Sequence, residues 1–151
     1  MRSQRLSIRL WMLTVLAVML VLAACGGAAV TSTPASRLAP GVVAVDLVFL
    51  NHPPVRDVLV QVDSVLAAYG DKVSVTRYDF DTQAGAAFAE KKGLTGHIPL
   101  AIFFNGSETF DMNGRKVTFE SFPQGAGTGM VPDGAWAVAD LDALLQSIVK
   151  K

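Results

Sequence analysis

Hydrophobic residues in the first part of the folded region follow a strand pattern, then a helix pattern, then a strand pattern again. Residues 42–50 form an almost continuous β-branched and aliphatic run, which is typical of a strand buried on both faces. Apolar residues then recur at helical spacing up to Gly70, after a Pro53-Pro54 pair that suits a first turn. Residues 73–80 alternate and predict a second strand.

The second part of this region predicts a short helix, three short strands and a final helix. Asp81 or Thr82 can cap a helix that reaches Lys92. Two Asn-Gly pairs predict tight turns between three strands, which are expected at residues 100–104, 108–112 and 116–120. The final helix has one apolar face, formed by Leu141, Leu144, Leu145, Ile148 and Val149. The order β-α-β-α-β-β-β-α predicts an α/β domain with parallel strand pairing first and hairpins later.

The N-terminal residues have a composition of their own. Residues 1–9 carry three arginines and no acid, and residues 10–24 are uncharged and nearly all apolar. An apolar stretch of 15 residues is shorter than the roughly 20 that a membrane-spanning helix needs. A basic start followed by a short apolar stretch is typical of a secretory signal. The sequence therefore predicts a signal peptide at 1–24, with an uncleaved membrane anchor as the alternative.

The apolar stretch ends in Leu22-Ala23-Ala24-Cys25-Gly26, which resembles the lipobox of bacterial lipoproteins. The resemblance implies that Cys25 becomes the first residue of the mature chain and is diacylated on its sulfur. Two acyl chains anchor a protein stably, because each buried CH₂ contributes about 0.8 kcal/mol. We therefore expect a protein of the cell membrane, lipid-anchored at Cys25 and facing the extracytoplasmic side.

The predicted mature chain divides into a tether and one domain. Residues 25–40 comprise the cysteine and a small, polar, proline-containing segment without an apolar period, which predicts a flexible tether. Residues 41–151 have the usual length of one domain. Because residues 1–24 hold three of the thirteen basic residues and no acid, the mature chain has ten basic and thirteen acidic residues. This mildly acidic balance argues against a nucleic-acid partner.

Three features of residues 42–106 carry a second resemblance. Asp46 lies within the first predicted strand, Asp79-Phe80-Asp81 ends the second, and Gly93-Leu94-Thr95-Gly96-His97-Ile98-Pro99 precedes the third. In this order and spacing the domain resembles thioredoxin, closely up to residue 106 and loosely in the final helix. The family's loop at 93–99 ends in a cis proline. The resemblance implies an α/β three-layer sandwich with a mixed central sheet flanked by helices, here followed by an extended C-terminal hairpin and loop.

The dithiol of that family is missing from this chain. Where thioredoxins open their first helix with Cys-x-x-Cys, the sequence reads His52-Pro53-Pro54-Val55, and Cys25 is the single cysteine. Disulfide exchange needs one thiolate to attack and a second thiol to resolve the intermediate. We therefore expect no catalytic residues, no cofactor and no redox activity. Asp46, which in the family serves the dithiol, is expected to remain as a buried or half-buried carboxylate.

What the resemblance leaves is a groove for a peptide. In thioredoxins the loop before the cis proline offers backbone hydrogen bonds to an extended substrate. This implies a groove formed here by His52, Pro53, Pro54, His97, Ile98 and Pro99. The expected function is a non-catalytic binding module for an extended peptide or an envelope protein. The alternatives are that Pro99 only determines the fold, that the chain is a structural subunit, or that it is a thiol-redox or metal-dependent accessory protein of the cell envelope.

The two histidines beside this groove raise the question of a metal. A metal site usually needs three or four ligands. Asp46 and Asp57 are expected on a buried strand and on a helix, away from His52 and His97. The sequence therefore predicts no metal site.

Residues 121–136 form a connection that is long for a compact domain, and such connections are either functional or mobile. Its glycines lack the Lys-Ser/Thr ending of a phosphate-binding loop. Phe122, Met130 and Trp136 form a partner-binding patch if they are exposed. We favour the other interpretation, in which they pack back onto the sheet.

Overall fold

The computed structural model describes residues 38–149. The predicted signal peptide, the first part of the tether with Cys25, and the last two residues lie outside this part of the chain. Within residues 38–149, no helix is both long enough and apolar enough to cross a membrane. These residues form a mixed α/β fold, as the hydrophobic pattern predicts.

A mixed three-stranded sheet forms the centre of the fold. β1 (Val43–Phe49) lies in the middle, with β2 (Val73–Asp79) parallel to it on one side and β3 (Leu100–Phe104) antiparallel on the other. In this register Leu47 of β1 lies opposite Ile102 of β3. The continuous apolar runs at 42–50 and 100–104 are therefore explained, because both strands are covered on two faces.

The first two helices begin where the sequence predicts. α1 (Pro53–Ala67) has its two prolines in the first turn, where a missing N–H costs nothing. α2 (Gln83–Lys91) is capped by Thr82, whose Oγ1 accepts the N–H of Gly85 at 3.0 Å. A Cβ on Gly85 would lie 1.8 Å from the carbonyl oxygen of Asp79. Only glycine therefore allows α2 to start this close to the end of β2.

Helices cover both faces of the sheet. α1 and α3 (Val138–Ile148) pack on one face, over the larger core that includes Leu47, Ile102 and Trp136. α2 packs on the opposite face. The smaller core beneath it consists of Val48, Ala89, Ala101 and Phe103. The expected arrangement of a mixed sheet flanked by helices is confirmed.

The predicted hairpins are only partly right. β4 (Thr109–Met112) and β5 (Arg115–Thr118) pair antiparallel across the Asn113-Gly114 turn, as predicted. The Asn105-Gly106 turn, in contrast, does not lead into a long hairpin with β3. Directly after this turn, the pairing with β3 consists of one bridge between Phe104 and Ser107.

A segment beyond β5 takes the place expected for β4. Residues 119–121 lie beside β3, and the N–H of Ile102 donates to the carbonyl of Phe119 at 2.9 Å. Asn105 meanwhile continues the pairing with β1: its N–H donates to the carbonyl of Ala44 at 2.8 Å, and its Oδ1 accepts the N–H of Ala44 at 3.0 Å. The turn residue is thus used by the neighbouring strand, and the chain leaves the sheet before β4 begins.

The prediction that the large apolar residues of the 121–136 connection pack onto the sheet is confirmed for Phe122 and Trp136 and wrong for Met130. Phe122 is 2% exposed and Trp136 is 0% exposed, whereas Met130 is 94% exposed. Two of the three large apolar residues therefore belong to the core, and they do not form an exposed patch with Met130.

Asp133 organises the glycine-rich part of this connection. Its Oδ2 accepts the N–H of Gly125 at 2.8 Å, and its Oδ1 accepts the N–H of Gly127 at 2.5 Å. A Cβ on Gly127 would lie 2.5 Å from the same Oδ1 and 2.8 Å from the backbone nitrogen of Asp133, so this close approach requires glycine. The backbone bond from Gly125, followed by that from Gly127, holds the pKa of Asp133 below its usual value.

Acidification is therefore expected to release this loop. Because the pKa of Asp133 is lower in the folded than in the unfolded chain, its stabilising contribution is complete above the unfolded value of 3.8 and is lost as the pH falls through the folded value. The amide proton shifts of Gly125 and Gly127, followed by NMR from pH 6 to pH 2, should titrate below pH 3.8. Asp133→Asn should abolish that titration. Flat profiles in the unmodified chain would show that the carboxylate does not hold the loop.

Candidate functional site

Two loops meet beyond the carboxyl end of β1. Residues 50–52 connect β1 to α1, and residues 92–99 connect α2 to β3. The N–H of Leu50 donates to the carbonyl of Pro99 at 2.9 Å, so a backbone hydrogen bond holds the loops together. These loops and the first turn of α1 carry all six residues of the expected groove, namely His52, Pro53, Pro54, His97, Ile98 and Pro99.

The two histidines come together, as the resemblance implied. Their ring centroids lie 6.1 Å apart, and the rings are nearly perpendicular at 83°. His52 directly precedes α1, and its side chain makes no capping hydrogen bond. Both histidines are exposed, and so are Pro53 and Pro54. The surface here thus offers two imidazoles and two proline rings to a partner.

Part of the loop before Pro99 has N–H and C=O groups that make no hydrogen bond within residues 38–149. The N–H groups of Gly93 and Leu94 are used by the last turn of α2, where they donate to Glu90 and Ala89 at 2.9 and 3.0 Å. Within residues 38–149, the N–H and C=O groups of residues 95–98 have no hydrogen-bond partner. Exposed backbone donors and acceptors of this kind can pair with an extended segment of another chain.

Ile98 and Pro99 fasten the loop to the sheet. Ile98 is half-buried against the smaller core under α2, and Pro99 is buried. No peptide bond within residues 38–149 is cis, so the Ile98–Pro99 bond is trans. The cis proline implied by the family resemblance is therefore wrong for this chain. A trans bond is the form that X–Pro peptides favour by about 0.5–1 kcal/mol.

The position of the family's dithiol holds no sulfur. The corresponding four positions are His52, which directly precedes α1, and the first three residues of the helix, Pro53, Pro54 and Val55. The single cysteine of the chain is Cys25. Val55 is buried, so the last of these four positions serves the core. The start of this helix consequently offers no nucleophile for disulfide exchange.

Asp46 is a half-buried carboxylate on the α2 face of the sheet, as expected from the sequence. Burial raises the pKa of Asp46 above its usual value, while the positive charge of Lys92 opposes this shift. Lys92 is fixed in place, because its Nζ donates to the carbonyl of Gly106 at 3.0 Å and lies 4.6 Å from the ring centroid of Phe103. Asp46 therefore has a structural counter-charge and no thiol to serve.

The sequence analysis missed Glu108, whose carboxyl is influenced by the charges of Glu120 and Lys92. Burial raises the pKa of Glu108, the negative charge of Glu120 raises it further, and Lys92 lowers it. The signal that would have revealed Glu120 is the register of residues 119–121. Glu120 forms a bridge with Ala101 and therefore faces the α2 side of the sheet. Alternation along this segment would have placed Glu120 on that face, had its pairing with β3 been known.

Asp46 and Asp57 do not join the histidines. Within residues 38–149, no group of three or more His, Cys, Asp and Glu side chains converges in a way that suits a metal ion. Asp57 is exposed on α1. The two histidines thus remain a pair.

No model of a known protein family matches the sequence, and no curated protein matches it either. Function has to be argued from the two loops themselves.

Proposed function

We propose that the chain is a membrane-anchored extracytoplasmic lipoprotein whose thioredoxin-like domain binds an extended peptide or an envelope protein without catalysing a reaction. The binding surface comprises the start of α1 and the loop before Pro99. The observation that carries the proposal is the free backbone of residues 95–98 beside exposed imidazole and proline rings.

The thioredoxin-like assignment is supported by strand order and helix placement. β1 lies between a parallel and an antiparallel strand, and α2 lies on the face opposite α1 and α3. Residues 119–121 add to the free side of β3. The trans Ile98–Pro99 bond departs from the family, so the loop presents its backbone in a geometry of its own.

Recognition at this surface rests on main-chain hydrogen bonds and on shape. A bound segment in extended conformation gains bonds from residues 95–98, while alternate side chains contact the surface on either side. Proline rings are rigid and apolar, so contact with Pro53 and Pro54 loses little side-chain entropy. The absence of a dithiol at the start of α1 favours reversible binding over disulfide chemistry.

A negative charge on this surface is expected to abolish peptide binding. Octapeptides selected from a random display library with the full chain would be measured by fluorescence anisotropy against Pro54→Glu and His97→Glu. Both positions are exposed, so folding should be unaffected. Each variant should bind at least about tenfold more weakly, which corresponds to about 1.4 kcal/mol, because a charge must be desolvated on binding.

The matched control is Lys116→Glu on β5, an exposed position on the separate β4–β5 hairpin. It makes the larger charge change and should leave the affinity unaltered. If no octapeptide binds the chain, or if the selected ones bind Pro54→Glu and His97→Glu as tightly as the unmodified protein, this surface is not a peptide site.

A further inference from the structure

The only two histidines of the 151-residue chain meet at one place on the surface. They come from different loops, and the hydrogen bond from Leu50 to Pro99 holds those loops in register. Both imidazoles are exposed, and His52 does not use its side chain to cap α1. Neither ring is committed to the core, so both are available to a ligand.

Against the sequence-based prediction of no metal site, we propose that His52 and His97 together bind a transition-metal dication of the Cu²⁺, Ni²⁺ and Zn²⁺ class through two protein ligands, with the remaining coordination positions left open. Imidazole nitrogen is a preferred donor for these ions. This inference goes beyond the proposed function and does not depend on it, since a metal can bind whether or not a peptide does.

The two rings lie within reach of one shared ion. An imidazole nitrogen binds zinc at about 2.0–2.1 Å, which places the ion about 3.2 Å from each ring centroid. Two rings on one ion are then about 5 Å apart at a tetrahedral angle and about 6.4 Å apart when opposed. The observed 6.1 Å corresponds to an angle of about 145° at the ion, so the two exposed rings must approach each other by about 1 Å to reach the tetrahedral separation. Each metal bond constrains only its own ring, so the nearly perpendicular planes are compatible with coordination.

The charges near the pair set its expected strength. A helix start normally disfavours a cation, but α1 begins with two prolines, which lack the N–H groups that make this end positive. The guanidinium of Arg56 lies beside Asn51, where its Nη1 donates to the backbone carbonyl at 3.3 Å. The Nδ2 of the same Asn51 donates to the Oδ2 of Asp79 at 3.3 Å, so a carboxylate lies as near to this residue as the guanidinium does. With only two donors, we expect modest affinity, tightest for Cu²⁺, which heads the usual order of divalent ions.

The test is a metal titration of the full chain, which carries no histidine tag and is purified in detergent. Binding of Cu²⁺, Ni²⁺ and Zn²⁺ would be measured by isothermal calorimetry, and retention on immobilised Ni²⁺ would be scored in parallel. We expect about one equivalent bound at this site. His52→Ala and His97→Ala should each weaken binding at least about tenfold, because loss of outer-shell support alone costs 10- to 100-fold.

Asp57→Ala serves as the control. It removes a carboxylate from an exposed position of α1, five residues from His52, and should leave the metal affinity unchanged. Circular dichroism verifies that each variant is folded. Any ion held elsewhere, for instance at Cys25, persists in every variant and cancels in the comparison.

Two results would overturn the metal site. One is equal binding of all three ions by the unmodified chain and the double variant His52→Ala/His97→Ala. The other is full affinity after loss of either histidine alone, which would mean that the rings do not share an ion. Peptide binding in the anisotropy assay is read separately, so either proposal can fail while the other stands.

Discussion

Replacement of Trp136 with alanine is expected to lower the free energy of unfolding by about 3–5 kcal/mol. The side chain is 0% exposed, and its ring centroid lies 5.5 Å from that of Phe119. Its Nε1 donates to the carbonyl of Glu120 at 3.2 Å, and its own carbonyl accepts the N–H of Gln124 at 2.8 Å. The substitution therefore opens a cavity and removes the Nε1–H that the carbonyl of Glu120 accepts, while the backbone bond from Gln124 is kept. A domain of this size is stable by only about 5–15 kcal/mol.

Urea unfolding followed by far-ultraviolet circular dichroism is the suitable measurement, because the substitution removes a fluorophore. Met130→Ala in the same connection is the control. Its side chain is 94% exposed, so it should change the unfolding free energy by less than about 0.5 kcal/mol. Trp136→Phe keeps most of the packing but loses the N–H, and should fall between the two. If Trp136→Ala costs no more than Met130→Ala, the 121–136 connection does not belong to the core.

The first half of the fold could be predicted from the sequence because its signals are local. The β-branched run at 42–50 requires a strand covered on both faces, and α1 and α2 cover it. Proline in the first turn of α1 and Thr82 before α2 mark helix starts through groups that lie next to them in the chain. Nothing distant had to be known.

The second half could be predicted only in part because its pairing is decided at a distance. Asn105-Gly106 has the sequence of a tight hairpin turn, and both residues adopt the positive φ that such a turn requires. Local chemistry cannot reveal that Asn105 also bonds to Ala44 in β1. Nor does it reveal that residues 119–121, rather than β4, lie beside β3. The choice between two neighbouring segments depends on how the whole sheet packs.

The candidate site shows the same division. The meeting of His52 and His97 was inferred from a family resemblance, since nothing in the spacing of two residues 45 positions apart predicts contact. The same resemblance implied a cis bond before Pro99, which is trans. The resemblance thus placed the two loops correctly but implied the wrong isomer for the Ile98–Pro99 peptide bond.

In the proposed function the anchor and the binding surface act together, because the lipid restricts the domain to a membrane surface. The flexible tether that the sequence predicts at residues 25–40 would let the two loops search a volume near that surface. Tethering of this kind raises the effective concentration of partners in the same membrane. Under the proposed function, weak peptide binding would then be sufficient.

Cys25→Ser is expected to eliminate lipid attachment altogether. In a bacterial host the unmodified chain should incorporate labelled palmitate, and mass spectrometry should find residues 25–151 with added acyl groups. The variant has no sulfur to acylate, so the label should fall to background and residues 1–24 should remain attached. The competing interpretation is a membrane-spanning anchor. A helix of the 15 apolar residues would be about 22 Å long, which is shorter than the hydrocarbon core of about 30 Å.

Ser32→Ala, seven residues further along the predicted tether, is the matched control and should be acylated and cleaved normally. The two interpretations differ in the mass of the unmodified protein as well as in the label, so the result does not rest on the variant alone. Palmitate incorporation by Cys25→Ser would place the acyl groups elsewhere. An unmodified chain that keeps residues 1–24 and carries no label would replace the lipid anchor by a protein one, and the tether would then start from the membrane-embedded segment itself.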